Sequence, residues 1–455
     1  MPMVVKEAGS TAEAVAESLA PENFEATLEM VSRSCTLQPP YTKIKVPAVP
    51  ITGQITVCAS PDSMFAVTKR FLDAAEKSIR IGIYDFSAAY MANLLKDSIA
   101  RRVKVTLMLD TDHVKGEDEI FKDLERSGAT CVSAPSCASA NPSAHVFRSS
   151  HEKYVVIDDE MCFVQSGNYS INSIPMNVLD GKADGHFRTG NRDMAVVVRS
   201  RELAKFLTRV LNSDIDLELS TPEAVEAAAR ALPPAPMLVE AAPSKRPDKL
   251  FPSKTFNLSK PLSVQPVMSP DNYMEIMPAA LRAATDSILI EQQYIHSEDE
   301  PVADLLQAIA DARGDNPSLD VRIVLGKIFS NKDLAKEKKN LANMAHKYDL
   351  RIGRNIRYID TTRLVHCHNK LVIVDGQNVL VSSQNWSRAA ILDNREAGLF
   401  FKHPGVASYF TDIFEVDWKT AQKKLPSRIG PQVASPESLK KGGFIEVAAA
   451  DYQQL

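Results

Sequence analysis

The sequence predicts an α/β protein of two similar lobes, each a mixed sheet covered by helices. Three observations lead there. Each half of the 455 residues runs strand, helix, strand and then hairpin, an order that makes a sheet covered by helices. The halves open alike, at Ser60-Pro61-Asp62 and Ser269-Pro270-Asp271. Each half also carries the same five polar residues at the same intervals: His151, Lys153, Asp158, Ser166 and Asn168 in one, His368, Lys370, Asp375, Ser383 and Asn385 in the other. A repeat that served only a core would keep its apolar pattern and let the polar residues drift. Held polar spacing points to two half-sites assembled into one.

Residues 1–51 read as an N-terminal helical extension, since Ser10 with Glu13 resembles a capping box and an Ala-rich amphipathic pattern follows. No cationic segment followed by an apolar run is visible there. A cytoplasmic location is therefore the expectation, with secretion open if the N-terminus is processed. The first lobe is expected over 52–221, with a strand at Ile81–Tyr84, a helix at Ala89–Ala100 and a strand at Val103–Leu109. A linker is expected over 222–261, where prolines such as Pro233, Pro234 and Pro236 preclude helix interiors and central strands; a short helix over Pro222–Leu232 precedes it. The second lobe, 262–425, repeats the plan with a helix at Val302–Ala312 and a strand at Val321–Leu325. Residues 426–455 form a C-terminal tail.

Each motif sits on a hairpin. Tyr154–Ile157 and Leu371–Val374 are β-branched runs of strand length, a polar break follows, and Met161–Val164 or Val379–Val381 returns. Alternation along a strand puts His151 and Lys153 on one face, and likewise His368 and Lys370. Asp158 and Asp375 fall on the opposite face, roughly 16 Å from their lysines. They are assigned a structural or supporting role. Ser166, Asn168, Ser383 and Asn385 end the returning strands, beside the histidines. Two imidazoles, two ammonium groups, two hydroxyls and two amides in one place suit a phosphate. The cations offset its charge, Ser and Asn hold its oxygens, one imidazole attacks phosphorus and the other protonates the leaving oxygen.

This duplicated HxK, Asp, Ser, Asn pattern resembles the phospholipase D superfamily, over roughly residues 52–216 and 262–420. The resemblance implies two α-β-α sandwich lobes related by a pseudo-twofold axis, metal-independent phosphodiester cleavage with no cofactor and no bound metal, and a phosphohistidine intermediate. By the same resemblance His151 is the nucleophile and His368 the general acid and base. Gln165 and Ser382 stand where the family usually has glycine, and their larger side chains are expected to narrow the phosphate pocket.

Matched tails follow the motifs, Asn191-Arg192-Asp193 and Asn394-Arg395-Glu396. Asp193 and Glu396 are assigned as acceptors for the imidazole nitrogens that do not react, as in triad acids. Residues 174–190 have no counterpart in the second half and are expected to form a long loop near the cleft, a lid or specificity element. His186 within it gains no catalytic role.

A net charge of −4 and pI near 6.2 argue against a dedicated nucleic-acid binder. One stretch, Lys327–Arg363, is basic, with ten Lys/Arg against four Asp/Glu. Leu334, Leu341, Met344 and Tyr348 mark its buried helix face, so its charges are expected to be solvated. The six cysteines make no metal signature; Cys131 and Cys137 are close enough in sequence to pair. In His366-Cys367-His368 the cysteine faces away on a strand, leaving His366 as a pocket or core residue. No stretch is long and apolar enough to span a bilayer, which counts against a cardiolipin-synthase-like phosphatidyl transferase. The leading expectation is thus a monomeric, peripheral phospholipase D-type hydrolase meeting a phospholipid surface, with possible transfer to alcohols. A nuclease of the same type is the alternative.

Overall fold

The computed structural model describes residues 41–110, 116–139, 144–220 and 243–429. The expected N-terminal helices, the short helix over 222–232 and the tail from 430 lie outside these residues. The first strand among the described residues is β1 (Val49–Ile51), and the first lobe follows it. Its strands are β2 (Gln54–Ser60), β3 (Ser78–Ile83), β4 (Lys104–Leu109), β5 (Thr130–Ser133), β6 (Lys153–Ile157), β7 (Met161–Gln165) and β8 (Asp193–Arg199). Its helices are α1 (Met64–Asp73), α2 (Ala89–Ala100), α3 (Glu117–Arg126) and α4 (Arg201–Ser220). Strand β9 (Lys254–Asn257) leads into the second lobe. Its strands are β10 (Leu262–Ser269), β11 (Ser287–Gln292), β12 (Asp320–Leu325), β13 (Ile356–Tyr358), β14 (Lys370–Val374), β15 (Asn378–Ser382) and β16 (Glu396–Lys402). Its helices are α5 (Tyr273–Arg282), α6 (Glu300–Asp315), α7 (Asn331–Tyr348) and α8 (Pro404–Thr420).

The two sheets run β9-β2-β8-β7-β6-β3-β4-β5 and β1-β10-β16-β15-β14-β11-β12-β13, place for place the same order. β3-β4-β5 and β11-β12-β13 are parallel and the other neighbours antiparallel, so both sheets are mixed. The parallel trios arise because helical crossovers join those strands, whereas short turns join the hairpins. The outer faces bury α1 and α2 in one lobe and α5 and α6 in the other. The inner faces share one core with α4 and α8, in which Val164, Val196 and Phe206 meet Leu371, Leu399 and Phe410.

Two of the expected boundaries shift. Residues 49–51 belong to the second lobe's sheet, where β1 pairs with β10, and residues 254–257 belong to the first lobe's, where β9 pairs with β2. Each lobe thus receives its edge strand from the segment that precedes the other. An open edge presents unpaired N–H and C=O groups, and the nearest extended chain satisfies them. Lys254–Asn257 is a proline-free window inside the proline-rich connection, which is why composition read over the whole stretch missed it.

Buried arginines clamp the lobes together. Arg192 donates from Nη1 to Asp62 of its own lobe at 2.6 Å and from Nε to Asp417 on α8 at 2.6 Å. Arg395 donates from Nη1 to Asp271 at 2.7 Å and from Nε and Nη2 to Asp214 on α4, both at 2.8 Å. Arg192, Arg395 and their four acids are buried, so each guanidinium replaces its lost hydration with carboxylates from both lobes. Tyr41 closes the second cluster, accepting from Arg395 Nη2 and donating to Asp271. Removing one partner strands the others without solvent, so Arg395→Ala is expected to lower the unfolding free energy by about 3–5 kcal/mol in denaturant titration.

Candidate functional site

The site lies where the starts of β6 and β14 meet across the lobe interface. Two short parallel bridges hold this junction, Ser150 to Arg395 and Arg192 to Cys367. The His151 N–H bonds the Arg395 carbonyl at 2.8 Å, and the His368 N–H bonds the Arg192 carbonyl at 3.1 Å. Each histidine is thereby docked against the tail of the opposite lobe. His151 Nδ1 donates to both oxygens of Glu396, at 2.9 and 2.8 Å, and His368 Nδ1 donates to Asp193 Oδ1 at 2.9 Å. With Nδ1 held by a carboxylate, both rings carry their reactive lone pair on Nε2. Both histidines line one cavity of about 730 Å³, together with Asn168, Asn385 and Tyr84. The repeat alone does not say which acid serves which histidine, and the structure pairs them across the lobes.

Behind the histidines lie Lys153 and Lys370, both fully buried. Each Nζ bonds the carbonyl of its own motif histidine at 2.5 Å. Burial pulls Lys153 down to about 7, with Lys370 adding repulsion and Glu396 opposing it. Burial likewise pulls Lys370 down to about 8 against the pull of Asp193 and Glu396. Burial raises Glu396 to about 8, against the attraction of Lys153. His368 is lowered to about 4, by burial first and the Lys370 charge second.

The family model described as the PLD-like domain of cardiolipin synthase matches residues 68–215 and 277–418, one stretch in each lobe and more than half of the chain. The chain belongs to the phospholipase D superfamily. Members of this superfamily are phosphodiesterases and transferases. Among solved structures, phosphatidylserine synthase of Haemophilus influenzae Rd KW20 is similar with a TM-score of 0.57 and 15% identity, covering 87% of this chain and 93% of that one. Nuc of Salmonella typhimurium, a phospholipase D family member, aligns over 35% of this chain and 92% of its own with 19% identity and a TM-score of 0.29. Among curated proteins no sequence matches the chain.

Several expected site residues of this superfamily member lie elsewhere than the sequence suggested. Ser166 and Ser383 do not face the cavity: both are fully buried, Ser166 Oγ donates to Asp193 at 2.8 Å, and Ser383 Oγ accepts from the Ala397 N–H at 3.0 Å. They brace the carboxylate-bearing strands, because the residue after each returning strand turns toward β8 or β16. Asn168 and Asn385 do line the cavity, and neither Oδ1 has a partner among the described residues. Gln165 and Ser382 do not narrow the pocket; Gln165 donates to the Gly167 carbonyl and Ser382 to the Lys370 carbonyl.

Asp158 and Asp375 sit in the hairpin turns with φ of 55° and 53°. Asp158 accepts from the N–H groups of Glu76, Lys77 and Ser78, and Asp375 from those of Thr285, Asp286 and Ser287. Partial burial raises both carboxyls, but these donors outweigh it and hold them below the usual range. Their work is to tie each hairpin turn to the start of β3 or β11.

The 174–190 segment is not a lid. Ile174 packs into the outer core, the Asn177 amide bonds the Pro61 and Arg188 carbonyls, Asp180 accepts from Ser253, and Thr189 bonds the Arg363 carbonyl. None of its residues lines the cavity, His186 included. Cys131 is a free thiol and is not paired with Cys137. The buried positions of α7 are Leu334, Leu341, Met344 and Tyr348, as its pattern required. Its charged side is not wholly solvated, however, because Lys336 and Lys339 line the cavity wall with Lys327. Sequence periodicity separates buried from unburied positions but not open solvent from a cleft.

The lowered lysines give a sign to the pH dependence. Their cationic form attracts phosphate and is lost as pH rises through about 7 to 8. kcat/KM for a phosphodiester, which reports the free enzyme, is expected to fall through that window while kcat changes less. Initial rates from pH 5 to 10 test this.

Proposed function

We propose that this protein is a phosphatidyl-transferring phosphodiesterase of the phospholipase D type, passing a phosphatidyl group through His151 to water or to an alcohol. The observation that carries this reading is the pair of crossed His–carboxylate contacts facing one cavity. His151 Nε2 attacks phosphorus, the P–O bond to the leaving alcohol breaks, and His368 gives that alcohol its proton. An incoming hydroxyl then gives its proton to His368 and attacks phosphorus, and the P–N bond breaks. His368 is neutral in the free site, so its Nε2 takes up the proton that it later gives the alcohol from solvent, when the arriving phosphodiester anion offsets the charges of Lys370 and Lys153. Asn168 and Asn385 would hold the phosphate oxygens, with the lysines behind them supplying field rather than contact.

The match to a cardiolipin synthase domain supports transfer alongside hydrolysis. The lack of membrane spans no longer weighs against that assignment, since the family model matches although no helix of the described residues is long and apolar enough to cross a bilayer. A nuclease reading draws its support from Lys327, Lys336 and Lys339 on the cavity wall. Head-group release from phosphatidylcholine and phosphatidylethanolamine vesicles, with and without added glycerol, beside digestion of single-stranded DNA, decides among these. With EDTA present throughout, head-group release is expected from wild type and not from His151→Ala or His368→Ala. His368→Asn is expected to trap phosphate on His151. Label found on His368 in a His151 variant would reverse the roles.

Contact with a phospholipid surface is supported by the first-lobe insertion, which exposes Met176, Val178 and Leu179 within four positions. An exposed apolar cluster on a strapped-down loop suits shallow insertion among acyl chains. Replacing all three by Ser is expected to weaken vesicle binding in sedimentation by about ten- to a hundredfold, each apolar side chain contributing on the order of 0.5–1 kcal/mol. Turnover of a soluble phosphodiester by the same variant is expected to stay at the wild-type level.

A further inference from the structure

The two half-sites match at the histidines and lysines but differ one step outward. Two residues before the motif histidine stands Ser149 in the first lobe and His366 in the second. Just after β4 stands Asp110, and just after β12 stands Gly326. In the first lobe these positions close on themselves: buried Asp110 accepts from Ser136, from Ser139 Oγ at 2.9 Å, from Ser149 Oγ at 2.8 Å and from the Ser150 N–H at 2.9 Å. In the second lobe they open. A Cβ at position 326 would lie 2.2 Å from His366 Cε1 and 2.7 Å from the Gln293 carbonyl oxygen, so glycine there makes the room the imidazole occupies.

His366 is 5% exposed, packs its ring 5.1 Å from that of Phe329, and lines the cavity with its centroid 6.3 Å from that of His368. Its Nδ1 accepts from the backbone N–H of Lys327 at 2.8 Å. A backbone N–H can only donate, so Nδ1 carries the lone pair and the proton of the neutral ring resides on Nε2. Burial, followed by the neighbouring His368 ring and the Lys370 and Lys327 charges, keeps the ring neutral, with its pKa well below the ordinary histidine range. Nε2 has no hydrogen-bond partner among the described residues. Buried donors are nearly always met, and this one forms part of a cavity wall that also carries Lys327, Lys336 and Lys339. Three acids on the same wall have partners of their own: Glu337 accepts from Tyr358 and Asn340, Asp333 caps α7 through Ser330, and Asp299 accepts from the Arg388 N–H and faces His296; a fourth, Glu298, is exposed at the cavity rim.

We propose that this wall is a second oxyanion subsite, in which His366 Nε2–H donates to a phosphate adjacent to the scissile one and Lys339 offsets its charge, so that the preferred substrates are diesters of a diphosphate. The proposal deepens the phosphodiesterase reading and rests on it. His366 is a positioning residue: it acts on the substrate's orientation and does not exchange a proton.

The full chain is titrated in a calorimeter, with EDTA present, against inorganic phosphate and against inorganic pyrophosphate, and turnover of bis(4-nitrophenyl) phosphate is measured separately. Pyrophosphate is expected to bind wild type about tenfold more tightly than phosphate, the worth of one charge-assisted hydrogen bond. Because His366 is neutral, His366→Phe changes no charge; it is expected to cut that preference to about threefold or less, and His366→Gln, whose amide supplies an N–H, to regain much of it. Lys339→Met, at an exposed position of α7, serves if the buried substitution prevents folding, and is expected to reduce the preference as well. Equal affinity for the two anions in wild type, or a preference unchanged in both His366→Phe and Lys339→Met, overturns the subsite. Loss of bis(4-nitrophenyl) phosphate turnover in wild type would instead count against the phosphodiesterase reading, while the binding ratio still decides the subsite.

Discussion

Everything in the site depends on two arginines being buried between the lobes. Arg192 and Arg395 each lie between a carboxylate of their own lobe and one on the partner lobe's last described helix, Asp417 for Arg192 and Asp214 for Arg395. A buried guanidinium is tolerable only when its donors are met in full, so these clusters leave little freedom for one lobe to slide on the other. The same backbone units carry the inter-lobe bridges to Ser150 and Cys367. The residue following each arginine is then delivered to the opposite histidine. The crossed His–carboxylate pairing follows from the clamp.

Crossed pairing makes each half-site incomplete alone. His151 depends on Glu396 from the other lobe for its tautomer, and His368 depends on Asp193. The exchange of edge strands β1 and β9 is the same principle at the rim of the sheets, because each lobe supplies a hydrogen-bonding edge that the other lacks. Lobe and site are therefore stabilised by the same interface, and a change that loosens it reaches the chemistry.

Symmetry sets where the chemistry happens, and departures from symmetry set what is accepted. The floor of the cleft is nearly the same in both halves. Above it the first lobe spends Asp110 on its own serines, while the second lobe opens around Gly326 to admit an imidazole and sets three lysines along the wall. The first lobe's insertion goes to the outer surface instead, strapped at Pro61, Ser253 and Arg363.

The sequence by itself determined the two-lobed fold, the hairpins, the structural role of Asp158 and Asp375 and the buried face of α7. Each of these rests on a periodicity or an interval that local geometry turns directly into structure. Asp214 and Asp417 were also legible, since Asp214 stands as far beyond Asp193 as Asp417 stands beyond Glu396; they went unread because a lone acid in a helix carries no local signal. Only the tertiary structure decided which carboxylate serves which histidine, that Ser166 and Ser383 brace strands instead of lining the cavity, that Lys254–Asn257 closes a sheet edge, and that Lys336 and Lys339 reach the cleft. Those outcomes depend on contacts between segments far apart in the chain, whose register is set when the two sheets pack and not by the intervals along either one.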